Sequence, residues 1–414
     1  MLPKCGDNVN IEKNATFSIR TEIGNNSGIG VNAHFYGKVI IGDKVEDGEL
    51  MNKKEIIVVT NPMIAANRSA EVTLSKFLRV IKPSVESIQV IGGNLSVEND
   101  LNDIQLISFP INRHPNKFKR MLSIIGVQLK MMGAVIRIGQ KGQPAYFWIA
   151  DKMILPYFAA KMKGMEVNYF IYGNVEKEGR KSKFTELSGK IIRYMASHAD
   201  CVCMESPSVE NEWPSLKIKQ KKVIHLYTDT IAKPEFQNRN NIFGMVCRLT
   251  PGKHVVECIR AMSEIHNLHP NWRLEIIGSG KQQQECENLV NELEAKEYIS
   301  LLGWVEHSDL QNKVKSWKYL LFPTDTEGMP NGIIEMMGFG IPAIASSVGG
   351  ISDVICSTNG FLLYGSTVLD LKERIEKAIE LSDNEYTKMA RNAYETINRE
   401  YTLPAAQAQA KKWL

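Results

Sequence analysis

The chain has 414 residues, 43% of them hydrophobic, and a formal net charge of +4, which fits two ordinary domains with separate cores plus a smaller segment. Its seven cysteines are too few for a disulfide framework and lack the paired spacing of a zinc site, so we expect a reducing, cytoplasmic environment. No basic segment followed by an apolar one opens the sequence, and no run reaches about 20 uninterrupted apolar residues, so we expect neither secretion nor a membrane span.

A six-residue repeat occupies the first segment, residues 1–50. Large apolar residues recur at every sixth position, at Ile11, Phe17, Ile23, Ile29, Phe35 and Ile41. This run resembles the hexapeptide repeat of left-handed β-helix acyltransferases, in which three hexads form one coil. The resemblance implies a β-helix fragment of about two coils, a remnant that stacks on a partner or self-associates. His34 is interpreted as a surface histidine, and acyl transfer by this segment stays open as an alternative activity.

Strands and helices alternate through the second segment, residues 51–238, which predicts a parallel sheet covered by helices on both faces. The predicted strands are residues 56–59, 87–91, 104–109, 146–149, 167–171, 201–204 and 222–226. The predicted helices are residues 70–81, 117–138, 155–163 and 184–196. A polar linker, residues 233–241, ends this Rossmann-like, acceptor-side domain.

The second segment also carries most of the positive charge. It has 27 Lys and Arg against 17 Asp and Glu, whereas residues 239–414 have 18 against 22. Such a basic face can attract nucleic acid, anionic lipid or phosphorylated acceptors, or it can be an ordinary solvated face. Residues 117–138 combine a basic start with an apolar helical body, which favours either a core helix or a helix that docks on a membrane surface.

A second alternating pattern predicts another Rossmann-like domain over residues 239–385, which would bind the donor. Its predicted strands are residues 243–247, 274–277, 300–302, 319–322, 343–345 and 360–362. The two domains would face a cleft. The tail, residues 386–414, is predicted to be helical until Pro404 and to return toward the first domain.

Two cations follow the first strand of this second domain. Arg248 and Lys253 are five residues apart in RLTPGK, where Pro251 and Gly252 shape a turn before a helix. A helix start favours anions through its free N–H groups and its dipole, and two added cations suit a diphosphate. We therefore predict that both side chains point from one loop at one anionic ligand.

A glycine-rich loop with two carboxylates follows the strand predicted at residues 319–322. Glu327 lies in the loop, and Glu335 lies about one turn into a helix that begins near Asn331. Glycines allow a ligand to approach the backbone, and N–H groups at a helix start favour phosphate. The predicted donor-binding residues of this loop are Gly328, Met329, Pro330 and Asn331. The carboxylate of Glu335 can accept hydrogen bonds from ribose hydroxyls, whereas Glu327 lies closer to the sugar.

The order of these motifs resembles the donor domain of family 4 retaining glycosyltransferases, which have the GT-B fold. The matching motifs are R-L-x-P-x-K, G-S-G at 278–280, L-G-W-V, E-G-x-P-x4-E, G-G-x-x-D and N-G-F-L, over residues 243–363. The resemblance implies that Arg248 and Lys253 neutralise the donor diphosphate. It also implies that Glu327 faces the transferred sugar and that Glu335 binds the ribose. Two loops would flank the nucleobase: the one that contains Gly278 and Gly280, and the one that follows Leu302.

The first domain departs from that family in two places. Its first loop reads NPMIAANRSAE where the family has a glycine-rich loop, and YGN follows residue 171 where the family often places a histidine. Tyr172 or Asn174 would then stand in for that histidine on the acceptor side. A retaining front-face displacement, in which the donor phosphate assists the acceptor, does not require the histidine.

Taken with these motifs, the resemblance implies retaining transfer of a hexosyl group from a UDP- or GDP-sugar to a hydroxyl of a glycan or lipid-linked acceptor. Cationic side chains and helix-start amides would neutralise the diphosphate, so we predict no metal and no cofactor besides the nucleotide-sugar substrate. We expect no nucleic-acid partner, and a peripheral contact with the inner face of the cell membrane stays open as an alternative to a core role of residues 117–138. A subunit that binds nucleotide without transfer is the alternative from another class, and bound nucleotide without donor hydrolysis would favour it.

Overall fold

The computed structural model describes five short strands before residue 42 and then residues 54–60, 68–111, 115–174, 176, 183–228 and 234–414. The chain forms two compact units, Met1–Lys53 and Lys54–Leu414. The larger unit contains both sheets that the alternating pattern predicts.

Parallel pairing relates the five strands of the smaller unit. These strands are β1 Lys4–Cys5, β2 Asn10–Ile11, β3 Thr21–Ile23, β4 Gly28–Ile29 and β5 Val39–Ile41. Asn10 pairs with Gly28 and Thr21 pairs with Val39, an offset of 18 residues in both cases. That offset equals the length of three hexads. His34 and most positions of the repeat lie outside the described residues, so the hexapeptide repeat stays a prediction.

The first Rossmann-like domain is built on a seven-stranded parallel sheet with the order β12-β11-β10-β9-β6-β7-β8. Its strands are β6 Glu55–Thr60, β7 Ser87–Gly93, β8 Gln105–Phe109, β9 Pro144–Trp148, β10 Glu166–Phe170, β11 Cys201–Met204 and β12 Lys221–Val223. Its helices are α1 Arg68–Ile81, α2 Lys117–Ile138, α3 Ile154–Met162 and α4 Lys183–His198.

The central strand β6 shows why this sheet is covered on both faces. Ile57 and Val59 are buried in one hydrophobic core, and the alternate residues Ile56 and Val58 are buried in the other. Successive side chains of a strand point to opposite faces, so a continuous apolar run requires cover on both sides.

The second Rossmann-like domain has a six-stranded parallel sheet with the order β15-β14-β13-β16-β17-β18. Its strands are β13 Ile242–Val246, β14 Arg273–Ile277, β15 Ile299–Gly303, β16 Tyr319–Phe322, β17 Ala343–Ser346 and β18 Gly360–Leu363. Its helices are α5 Val255–His266, α6 Gln283–Glu292, α7 His307–Val314, α8 Asn331–Gly338, α9 Ile351–Val354 and α10 Val368–Ile379. The predicted fold class of two parallel-sheet α/β domains is confirmed.

The tail differs from the prediction of a single helix ending at Pro404. It forms α11 Asp383–Glu400 and α12 Leu403–Lys411, with Pro404 in the first turn of α12. Proline is tolerated there because a first-turn N–H has no partner within the helix. Ala406 and Ala410 of α12 are buried in a core of the first domain, and the Gln407 amide donates to the Arg79 carbonyl oxygen at 3.0 Å.

Candidate functional site

Two loops of the second domain meet at the carboxyl edge of its sheet. One follows β13 and leads through a 3-10 helix, Pro251–Lys253, into α5. The other follows β16 and leads into α8, and we call residues 323–330 the donor loop. The strands β13 and β16 are parallel neighbours, so both loops leave the same edge, where α/β sheets bind ligands. The backbone N–H of Asp325 donates to the Gly252 carbonyl oxygen at 3.1 Å, which joins the two loops.

Lys253 and Glu327 form an ion pair in this edge. The Lys253 ammonium donates to a Glu327 carboxylate oxygen and to Thr324 Oγ1, the latter at 3.1 Å. The side chains of Lys253 and Glu327 are only 13% and 22% exposed. The ammonium also lies 4.9 Å from the centre of the Phe322 ring. The structure thus brings together two of the three predicted catalytic side chains and holds a cation where it can bind anionic oxygen.

Arg248, the third predicted catalytic residue, is exposed and directly follows Cys247. Burial raises the pKa of the Cys247 thiol to about 12, and the charges of Lys253 and Arg248 oppose that rise. Both cations are therefore within electrostatic range of the same buried thiol.

His254 completes the link between the two loops. Its backbone is left-handed, with φ of +49°, and its ring Nε2 lies 2.7 Å from Asp325 Oδ1. The neighbouring carboxylates of Glu257 and Asp325 raise the pKa of His254, so its charged form is favoured. A cation and a carboxylate thus fix the start of α5 against the donor loop.

Gly278 and Gly280 lie where the loop after β14 presses against the loop that carries Arg248. A Cβ on Gly278, whose φ is +139°, would lie 1.8 Å from the Cys247 carbonyl oxygen, and one on Gly280 would lie 2.3 Å from that of Leu249. Both glycines are therefore required by backbone packing between loops. Their contact with a nucleobase stays a prediction.

A second glycine pair supports the donor loop from the G-G-x-x-D motif. A Cβ on Gly349 would lie 1.8 Å from the Glu327 carbonyl oxygen, and the N–H of Gly350 donates to the Gly328 carbonyl oxygen at 2.8 Å. The predicted donor-binding residues Met329 and Pro330 are buried beside this contact.

Helix α8 begins at Asn331, as predicted, with Pro330 preceding it. Asn331 is exposed, and Glu335 is partly exposed one turn further along the helix. The N–H groups of the first turn can therefore hold phosphate at the end of the donor loop, and the Glu335 carboxylate is accessible to a ligand. The functional roles of Asn331 and Glu335 stay predictions.

The first domain faces the donor loop with a cavity of about 260 Å³. Asp151 follows β9, Tyr172 follows β10 and Glu205 follows β11, and these three side chains line the cavity together with Asn331 of α8. A Cβ on Gly328 would lie 3.3 Å from the Tyr172 ring and 3.5 Å from a Glu205 carboxylate oxygen. The cavity therefore lies where the two domains meet.

The residues that line this cavity include one with a strained backbone and two carboxyl groups with raised pKa values. Ile149 has a φ of +46°, which is costly for a β-branched residue, and its N–H donates to the Tyr172 hydroxyl at 3.1 Å. Burial raises the pKa of Glu205 to about 8, and the negative charge of Glu327 acts in the same direction. Burial also raises the pKa of Asp151. Such groups in a cleft are typical of functional sites.

Tyr172 and Asn174, the two residues predicted to replace the family's histidine, have different environments. Asn174 is buried; its amide donates to the Glu212 carbonyl oxygen at 2.9 Å, and its oxygen accepts from the Glu176 N–H at 2.9 Å. These contacts indicate a structural role, so Asn174 is a poor candidate. Tyr172 lines the cavity and offers a hydroxyl group, but at neutral pH it cannot act as a base because burial raises its pKa further.

Three acidic residues were not predicted from the sequence: Asp151 and Glu205, which line the cavity, and Glu212, which contacts the donor loop. Glu205 directly follows the apolar strand β11, and Asp151 comes three residues after the end of the apolar strand β9. A charged residue at the carboxyl end of such a strand is a signal that could have found both. Within the described part of the chain, no group of three or more His, Cys, Asp or Glu side chains could hold a metal ion.

The arrangement of the two domains matches solved glycosyltransferases. The structure of Anabaena HepE in complex with UDP and glucose superposes with a TM-score of 0.66 at 16% sequence identity, over 87% of this chain and 99% of that one. The two Rossmann-like domains therefore have the GT-B fold.

The family-model match covers the second domain. Residues 227–396 match the family model for group 1 glycosyl transferases, a stretch that contains all the predicted donor-side residues. A Corynebacterium glutamicum GDP-mannose-dependent monoacylated alpha-(1-6)-phosphatidylinositol monomannoside mannosyltransferase is 26% identical over 171 residues, 40% of this chain and 44% of that protein. An Escherichia coli UDP-Gal:alpha-D-GlcNAc-diphosphoundecaprenol alpha-1,3-galactosyltransferase is 29% identical over 147 residues, 34% of this chain and 37% of that protein. The chain thus spans less than half the length of these curated relatives.

Proposed function

We propose that the protein is a retaining glycosyltransferase that moves a hexosyl group from a UDP- or GDP-sugar to a hydroxyl acceptor during glycan or glycolipid synthesis. The observation that carries this proposal is the Lys253–Glu327 pair at the carboxyl edge of the second sheet, opposite a cavity in the first domain. The match of residues 227–396 to group 1 glycosyl transferases supports it.

In this proposal Lys253 and Arg248 bind the donor diphosphate together with N–H groups at the start of α8. Glu335 accepts hydrogen bonds from the ribose, and Glu327 faces the transferred sugar. The bond between the anomeric carbon and the diphosphate oxygen breaks, and its electron pair leaves with the diphosphate. The acceptor oxygen attacks from the same face, and its proton passes to the departing phosphate oxygen. Charge stabilisation comes from side chains and amides that are already in place, and no metal or other cofactor takes part.

A nucleotide-sugar panel tests this function. A donor that binds the folded state raises its free energy of unfolding by about 2.7 kcal/mol at a concentration 100 times its Kd, so melting temperatures identify donors directly. We expect one UDP- or GDP-sugar to stabilise the protein and to release its nucleoside diphosphate when a hydroxyl acceptor is added. Stabilisation without any release of diphosphate would instead favour a subunit that binds nucleotide without transfer.

We further propose that the N-terminal segment is a remnant of a hexapeptide acyltransferase and contributes no group to sugar transfer. Its separation as a compact unit, Met1–Lys53, and the 18-residue offset of its strands support this. A chain that begins at Met51 is expected to fold and to transfer sugar at a rate close to that of the full chain. The transfer rate and the sedimentation of the two chains should be compared. We expect sedimentation to show that the shorter chain no longer self-associates. A folded but inactive shorter chain, or binding of acetyl-CoA by the full chain, would contradict the remnant proposal.

We propose that α2 docks the protein peripherally on an anionic membrane surface at the cytoplasmic face. Residues Lys119–Ile138 are apolar and long enough for a membrane span by composition, yet only 28% of the most apolar stretch is buried. Over residues 119–138 of α2, the large apolar side chains that are exposed are those of Met121, Leu122, Ile125, Leu129 and Ile136. Lys119, Lys130 and Arg137 are exposed on the same helix. Apolar residues beside cations favour the interface of an anionic bilayer, where each cation adds about 1 kcal/mol.

Substitution of the exposed face tests the docking proposal. Replacing Leu122, Ile125 and Leu129 together by Ser should release the protein from vesicles that contain phosphatidylglycerol, measured by co-sedimentation. Because these side chains are exposed, the melting temperature should change little. The matched control replaces Leu268 and Leu369 of the second domain, which are 69% and 64% exposed, by Ser as well. This control variant should still bind the vesicles. Equal binding by all variants, or no preference for anionic over neutral vesicles, would reject this surface.

A further inference from the structure

Two buried carboxyl groups of the first domain contact the donor loop of the second. Glu205, directly after β11, is 6% exposed and accepts a hydrogen bond from the backbone N–H of Met329. Glu212, at the end of the 3-10 helix Pro207–Glu212, is 4% exposed. Its carboxylate accepts hydrogen bonds from Thr326 Oγ1 at 3.2 Å and from the Gly349 N–H at 3.1 Å. Neither residue is among the predicted donor-binding or catalytic groups.

These contacts involve residues on both sides of Glu327 in the sequence and a glycine that packs against its backbone. Thr326 precedes it, Met329 follows two positions later, and Gly349 packs on its carbonyl oxygen. Gly173 of the first domain also lies against it, since a Cβ there would be 2.9 Å from the Glu327 backbone nitrogen. The position of Glu327 is therefore set by the first domain as well as by its own.

A second set of contacts joins the same two regions. The Asp353 carboxylate of the G-G-x-x-D motif accepts hydrogen bonds from the Ser206 hydroxyl, from the Ser208 N–H at 2.8 Å and from the Ser208 hydroxyl at 2.6 Å. Residues 205–212 of the first domain thus form hydrogen bonds both with the donor loop and with α9 and the glycines that precede it. Because hydrogen bonds require close contact, any movement that separates the two domains would break the whole set.

We propose that Glu205 and Glu212 are positioning residues that hold the donor loop from the first domain, so that Glu327 faces the transferred sugar only in the closed arrangement of the two domains. This inference rests on the proposed function for its catalytic consequence. Its structural part, closure through these two carboxyl groups, stands apart from that function and can be measured without transfer.

The burial of Glu205 and the negative charge of Glu327 favour the protonated form of Glu205. Glu327 and Asp151 are acidic, the Tyr172 ring lies against the same cavity, and the Lys253 ammonium is already bound by Glu327. Burial raises the pKa of Glu205 from its ordinary value of 4.5 to about 8. The folded state therefore keeps a proton that the unfolded chain loses, and this contribution to stability decreases as the pH rises from about 4.5 toward 8. Above that range an ionised Glu205 faces Glu327, which weakens the closed arrangement.

Variants of Glu205 separate positioning from proton transfer. Glu205→Gln keeps a neutral acceptor for the Met329 N–H, so we expect kcat near that of the wild type at pH 7. Its activity should also persist above pH 8, where wild-type activity falls. Glu205→Ala and Glu212→Ala should each lower kcat at least about tenfold, the effect of one lost buried hydrogen bond. Donor KM should change little in either. Glu210→Gln is the matched control, because Glu210 lies in the same 3-10 helix but pairs with Lys221.

The closed arrangement of the two domains can also be tested by a measurement that does not depend on catalysis. Small-angle scattering should show that the wild-type protein expands between pH 7 and pH 9 and that Glu205→Gln stays compact, even if no donor or acceptor is found. An equal loss of kcat in Glu205→Gln and Glu205→Ala would show that Glu205 exchanges a proton with substrate, which overturns the positioning role. Identical scattering of wild type and Glu205→Ala at both pH values would overturn closure through this residue.

Discussion

Lys253→Ala is expected to lower kcat for sugar transfer by about 10²–10³, the typical effect of removing one preorganised charged or hydrogen-bonding group from a developing anion. The Lys253 ammonium is largely buried and already coordinates oxygen atoms of Glu327 and Thr324. Its closest contacts are acceptors and the Phe322 ring, whereas Arg248, the other cation proposed to bind the diphosphate, is exposed to solvent. Single-turnover and steady-state rates with a saturating donor would measure the loss.

The matched control for this variant is Lys372→Ala, which removes a lysine paired with Glu264 on the surface and should leave the rate unchanged. Melting temperatures of both variants would show whether the fold survives. A folded Lys253→Ala protein with a near-normal rate would exclude Lys253 from the diphosphate site.

Glu327→Gln and Glu335→Gln are expected to act on different steps. Glu327 lies in the donor loop against Lys253, so loss of its charge should lower kcat about a hundredfold with donor affinity nearly unchanged. Glu335 lies one turn into α8, so its amide variant should weaken donor binding about tenfold and change kcat little. The two effects are separated by measuring donor Kd by calorimetry and kcat at saturating donor. Equal effects of both substitutions on donor affinity would contradict the separate roles.

Local patterns predicted the fold because each element carries its own signal. Strand β16, Tyr319–Phe322, is apolar throughout and is fully buried between two helix layers, and helix α2 occupies the residues that its periodicity indicates. The tail was predicted less well, since a proline was treated as a helix end although it is equally suited to a helix start.

The donor side of the site was predictable because its residues fall in short motifs that each follow the end of a strand. Arg248, Lys253 and Glu327 lie in loops that leave neighbouring parallel strands, so topology brings them to one edge. The interdomain contacts were not predictable in this way. Glu212 and Thr326 are 114 residues apart, and no periodicity or spacing relates a carboxylate to a hydroxyl group in another domain. The roles of Gly278 and Gly280 in loop packing likewise depend on distances that only the folded chain defines.

The central claim is that this chain transfers a hexosyl group with retention. The most direct measurement follows turnover of an α-linked nucleotide sugar, such as UDP-glucose or GDP-mannose, by proton NMR in the presence of hydroxyl acceptors. The account predicts release of the nucleoside diphosphate together with an α-linked product, and loss of both with Lys253→Ala. A β-linked product, or a stably bound nucleotide with no diphosphate released from any donor in the panel, would contradict it.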